Sequence, residues 1–247
     1  MRFSPRARAR LAFLPYAVVA VLHLLALVAT SMGADVAATD VSSKALLMPA
    51  LLLGFLVGVP RLRSRAAALG VVAIISSWVG DLALMVPGTD AFLLGLAAFF
   101  IAHAALLLLM VFHLGVRRLP LAAFAYLGWW IALVALLAPH AAWLVWPLAA
   151  YGVVLGLMAM ASTRASALVV LGGFLFAVSD SMLGVDRFVP SIQIWQADVV
   201  IMLAYTLAQG LVAFGAVEQL RRAREEASAA EHASGGPTLT VREDALH

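Results

Sequence analysis

No cysteine occurs in the 247 residues, so the chain can build no disulfide framework, thiolate metal site or cysteine nucleophile, and redox compartment cannot be read from it. Charge is nearly as scarce. Asp, Glu, Lys and Arg make up 12% of the chain against 64% hydrophobic residues, with a mean hydropathy of +1.03; a soluble domain carries about twice that charge. The basic pI of about 9.8 does not point to nucleic acid, because Lys and Arg lie in short loops between apolar runs rather than on one polar face. Also missing are G-x-S-x-G, H-E-x-x-H and a P-loop, which removes the corresponding serine, zinc and nucleotide chemistries. Any reaction is expected to need no metal and no cofactor.

What is present is a series of apolar runs. Taking about 20 residues per crossing, the sequence predicts an all-α, polytopic membrane bundle of eight transmembrane helices at 11–30, 44–59, 66–86, 91–114, 119–138, 143–160, 165–185 and 195–217. The second is the shortest. The arginines Arg2, Arg6, Arg8 and Arg10 precede a run too long for a signal peptide, which is read as a retained helix. Loop charge alternates: fourteen Lys and Arg fall at the N-terminus, in alternate loops and in the tail, whereas the other side holds only Lys44 and Arg187. The positive-inside rule then places both termini in the cytoplasm of a multi-pass cell-membrane protein. Residues 1–218 form the transmembrane domain. Residues 219–247 are a polar cytoplasmic tail, expected to be a short helical extension followed by disorder.

Within these runs two carboxylates stand out. Asp81 lies in SSWVGDLALM and Asp180 in FAVSD, each with nothing nearby in sequence to neutralise it. An acid at membrane depth is costly unless protonated, paired or wetted, and therefore marks a functional site by default. The two segments echo each other. Aligned at an offset of 99, residues 65–81 and 164–180 agree at seven of seventeen positions, which suggests a parallel four-plus-four repeat. Each acid sits roughly 20 to 24 Å along its helix from the basic side. Asp198 shares that depth, His103 lies nearer the midplane, and Tyr205 and Gln209 follow Asp198 on a polar helical stripe. The expected interior is open to the outer leaflet and lined by segments three, four, seven and eight, with Lys44 at the opening. His23, His113 and His140 are read as structural or interfacial, and Gly80, Gly95, Gly172 and Gly173 as close-packing positions.

Two carboxylates in one partly dry pocket can act as general acid and general base, one protonated and the other ionised. Such a pair breaks acid-labile bonds to oxygen through an oxocarbenium-like transition state. Intramembrane acids and a repeat also suit a small-molecule or proton-coupled transporter, the competing reading.

Four motifs then occur in order: S-x-x-G-D-x-x-L (Ser77, Gly80, Asp81, Leu84), F-x-x-G-L-x-x-F-x-x-x-H (Phe92, Gly95, Leu96, Phe99, His103), F-x-x-S-D-x-x-L (Phe176, Ser179, Asp180, Leu183) and Y-x-x-A-Q-x-L (Tyr205, Ala208, Gln209, Leu211). Together they resemble the YhhN-like lysoplasmalogenase family over nearly the whole membrane domain. The resemblance implies an eight-helix hydrolase that cleaves the vinyl ether of lysoplasmalogens to a fatty aldehyde and glycerophosphoethanolamine or glycerophosphocholine. It further implies that Asp81 and Asp180 are the catalytic pair. Lys44, ahead of Pro49, resembles the family's basic residue on helix two and is expected, with His103, Asp198, Tyr205 and Gln209, to contact substrate. The implied partners are a lysophospholipid, membrane lipid and water, and no nucleic acid; oligomeric state is left open. The chain departs from the family in carrying Leu106 where a tyrosine often follows the helix-four histidine. Which aspartate gives the proton is also open, with Asp180 favoured because Phe174 and Phe176 flank it.

Overall fold

The computed structural model describes residues 4–234; Arg2 and the tail beyond residue 234 lie outside the described residues. Among them there are helices and no strands. The chain runs through α1 (Pro5–Leu11), α2 (Leu14–Ser31), α3 (Ala37–Gly58), α4 (Arg65–Leu84), α5 (Thr89–Leu109), α6 (Ala125–Ala141), α7 (Val145–Ser162), α8 (Ala167–Phe188) and α9 (Ala197–Ser234).

Seven stretches are long and apolar enough to cross a membrane by length and composition, where hydropathy predicts eight. The difference lies in Leu121–Ser162, one stretch of 42 residues that doubles back on itself. Ala142 takes a positive φ of 47° and a short 3-10 turn follows, so α6 cannot continue into α7 as one rod. The Trp130 indole N–H donates to the Ala149 carbonyl (3.1 Å) and its ring lies over Gly152, so the two helices run antiparallel.

Other boundaries move for local reasons. Arg6, Arg8 and Arg10, expected to lead into the first crossing, lie in a separate short helix, α1, capped by Ser4. The second crossing, expected at 44–59, is a full helix from Ala37, because its polar first turns find a partner. His23 of α2 reaches Ser43 Oγ (3.1 Å) and Asp40 Oδ1 (3.3 Å) through Nδ1. The end of α5 widens into a π-turn, Met110–Leu114. The last helix runs unbroken across residue 218 to Ser234.

Small residues set the helix spacing, as expected where lipid is as apolar as leucine and close approach is what drives association. A Cβ on Gly172 would lie 2.6 Å from Val212, so α8 and α9 meet there backbone to side chain. The acid-bearing helices α4 and α8 each pack most extensively on the helix that follows, α5 and α9.

The arginine-rich ends are gathered at one end of the bundle. Arg6 and Arg10 of α1 pair with Glu225 and Glu218 of α9. Gln219 donates to the Leu114 carbonyl (2.5 Å) and accepts from the Ser166 amide (3.1 Å), and Arg221 donates to the Gly58 carbonyl (2.8 Å). Both described termini therefore share one end. Lys44, Arg187 and Asp198 lie toward the other, near the start of α3, the end of α8 and the start of α9.

Candidate functional site

Asp81 and Asp180 open onto one cavity of about 230 Å³ near the end opposite the arginine-rich one. Asp81 is 3% exposed, and Asp180 has a side chain 11% exposed. Lys44, Asp198 and Tyr205 line the same cavity. Arg187 joins them, its guanidinium 4.2 Å above the Phe92 ring. Asp198 and Arg187 are exposed and Lys44 is half-buried, so the charged groups mark the mouth and the two acids the interior.

Each acid is held by a tyrosine. The Tyr205 hydroxyl donates to Asp81 Oδ2 (2.9 Å), and Gln209 Nε2 donates to the Tyr205 oxygen (3.1 Å), one helical turn behind it. The Tyr151 hydroxyl donates to Asp180 Oδ2 and also meets His103 Nδ1 (3.3 Å). His103 Nδ1 lies 2.8 Å from the Phe99 carbonyl, while its Nε2 is buried without a hydrogen-bond partner, 3.8 Å from Asp180 Oδ2. His103 and Gln209 are thus behind the cavity wall, in contact with the residues that form it.

Aromatic rings separate the two clusters and fix their distance from each other. Phe99 meets Tyr205 edge-on at 5.9 Å, and Phe176 meets both Tyr205 (6.1 Å) and His103 (5.1 Å) edge-on. Gly80 makes room for this. A Cβ there would come within 2.6 Å of the Phe99 ring, so the residue before Asp81 has to be glycine for α5 to lie this close.

The lining corrects one sequence expectation. Besides segments three, four, seven and eight, the α6–α7 hairpin forms much of the apolar wall, through Trp130, Leu133, Leu137, Leu148 and Leu155. Trp130 of α6 is one of these. Tyr151 escaped the sequence reading altogether: a tyrosine in an apolar helix is ordinary, and only the reversal at Ala142 brings it to Asp180. Leu106, at the position where the family often has a tyrosine, is buried in the core, and the phenol beside His103 comes from α7 instead.

Chemically, the cavity offers two carboxylates, each touched by a phenol, one of them also by an imidazole, with cations at a wet mouth and hydrocarbon walls. This equipment suits proton transfer to and from an amphiphile with a long chain.

No curated protein and no solved structure matches the chain. Residues 39–216, most of the membrane-spanning part and all of the residues lining the cavity, match the YhhN family. The protein belongs to the YhhN family.

Proposed function

We propose that the protein is a membrane hydrolase that cleaves the vinyl ether bond of lysoplasmalogens, releasing a fatty aldehyde and glycerophosphoethanolamine or glycerophosphocholine. The observation that carries this is the pair Asp81 and Asp180, supplied by two different helices to one cavity with largely apolar walls. Membership of the YhhN family supports it, since the resemblance of the four motifs implies this reaction.

One acid protonates the β-carbon of the enol ether; the other carboxylate stabilises the oxocarbenium and directs water onto it, and the hemiacetal collapses. Lys44 and Arg187 at the mouth suit the lipid phosphate, and the α6–α7 wall suits the chain. Asp198 and Tyr205 complete the polar lining, with His103 and Gln209 acting from behind. The bundle crosses the cell membrane eight times, α6 and α7 being two crossings, with the arginine-rich end in the cytoplasm.

The test is aldehyde release by the detergent-purified protein, where no gradient can drive transport, from lysoplasmalogen against an ester lysolipid of equal chain length. Turnover of the vinyl ether alone is expected, and Asp81→Asn and Asp180→Asn should each lower it by about 100-fold or more. Folded variants that keep the parent rate would refute the mechanism.

A further inference from the structure

The surroundings of the two acids differ in a way that separates their roles. A carbonyl oxygen only accepts, so the 2.8 Å contact with Phe99 requires that His103 Nδ1 carry hydrogen. In a neutral ring the other nitrogen, Nε2, is then a bare lone pair. It points into a buried space with Asp180 Oδ2 at 3.8 Å and no hydrogen-bond partner. A lone pair facing an ionised carboxylate, both out of water, would leave two acceptors opposed, a costly arrangement. One proton between them removes the conflict. Tyr151 cannot supply it, since its single hydrogen is given to Asp180.

Asp81 has the opposite company. Its hydrogen-bond partner is a donor, Tyr205, which is itself supported by a donor, Gln209, and the ammonium of Lys44 shares the cavity. Burial and a tyrosine donor are common to the two acids; the unpartnered His103 Nε2 beside Asp180 is what distinguishes them.

We propose that Asp180 holds a proton in the resting protein, directed to His103 Nε2, and is the acid that protonates substrate, while Asp81 is the ionised partner, and that Tyr151 and His103 are positioning residues for that proton. The proposal rests on the vinyl ether reading for its chemistry. Asp180 gives its proton to the β-carbon, the C=C pair forming the new C–H bond and leaving the oxocarbenium. Water adds to the cationic carbon and loses a proton to Asp81. The Asp180 carboxylate then takes the hemiacetal hydroxyl proton while Asp81 returns one to the glyceryl oxygen as the C–O bond breaks. Both acids end as they began, with aldehyde and alcohol released and one water consumed.

The proton can be located without turnover. Infrared spectra of the full-length protein in detergent at neutral pH should show a protonated-carboxyl carbonyl band that is kept in Asp81→Asn and lost in Asp180→Asn. The conservative variants Tyr151→Phe and His103→Gln should keep the band but shift it, which secures the assignment if an aspartate variant fails to fold. Absence of the band from the parent protein, its survival in Asp180→Asn, or its indifference to both conservative variants would overturn the proposal. With lysoplasmalogen, Tyr151→Phe should lower kcat by about tenfold, hold KM within about twofold and enlarge the solvent deuterium isotope effect, because proton delivery becomes slower than the other steps. An unchanged kcat and isotope effect would count against Tyr151. If the parent protein releases no aldehyde the hydrolase reading fails, yet the infrared band still decides where the proton sits.

Discussion

At the scale of single residues, the site depends on one missing side chain as much as on the groups present. Gly80 lets the Phe99 ring settle against α4, and that ring in turn meets Tyr205, the donor to Asp81. Gly80→Ala should therefore cost about 1–3 kcal/mol through overpacking and displace Tyr205 from Asp81, lowering both the thermal midpoint and turnover. Gly128→Ala is the matched control, since nothing lies within 4 Å of a Cβ there; it should leave the midpoint unchanged or raise it slightly, because alanine is the better helix former. Equal loss in both variants, followed by thermal unfolding in detergent, would contradict the packing argument. Asp81 and Asp180 could be picked out in the sequence because a carboxylate in an apolar helix is conspicuous for its cost. Tyr151 and Trp130 could not, because their type is common in membrane helices and their role depends on what they touch.

At the scale of the helix, α3 shows why hydropathy misplaces an end. Its first turns carry Asp40 and Ser43 and read as loop, yet they are helical because His23 on α2 receives them within the bundle. This contact holds the end of α3 that bears Lys44, one residue beyond Ser43. A double-mutant cycle of His23→Leu and Asp40→Asn should show a coupling of about 0.5–1.5 kcal/mol, the range for polar contacts between membrane helices; strictly additive losses of stability would mean the pair contributes nothing. The α6–α7 hairpin makes the same point from the other direction. Composition presents one long apolar stretch, and the break at Ala142 together with the Trp130 contacts is what folds it into a wall for the cavity.

At the scale of the whole molecule, the basic loops and both described termini share one end, tied by α9 through Glu218, Gln219, Arg221 and Glu225. The cavity mouth opens at the other. If the arginine-rich end is cytoplasmic, a lysolipid enters from the outer leaflet. The absence of cysteine makes this directly measurable. Ser191→Cys, in the turn between α8 and α9, should react with a membrane-impermeant maleimide in intact cells, whereas Ser228→Cys on the α9 extension should react only after lysis. The reverse pattern would invert the topology and move the mouth to the cytoplasmic leaflet.

The sequence alone determined the membrane character, the helical class and the two anomalous acids, because hydrophobic length and the cost of buried charge are properties of residues in order. Four motifs in series were enough to identify the family. Only the tertiary structure decided that both acids face one cavity, that α6 and α7 close it, and that each acid is held by its own tyrosine. Those outcomes depend on helix rotation, on a backbone reversal at one alanine and on where a glycine admits a ring, none of which leaves a periodic signal in the chain.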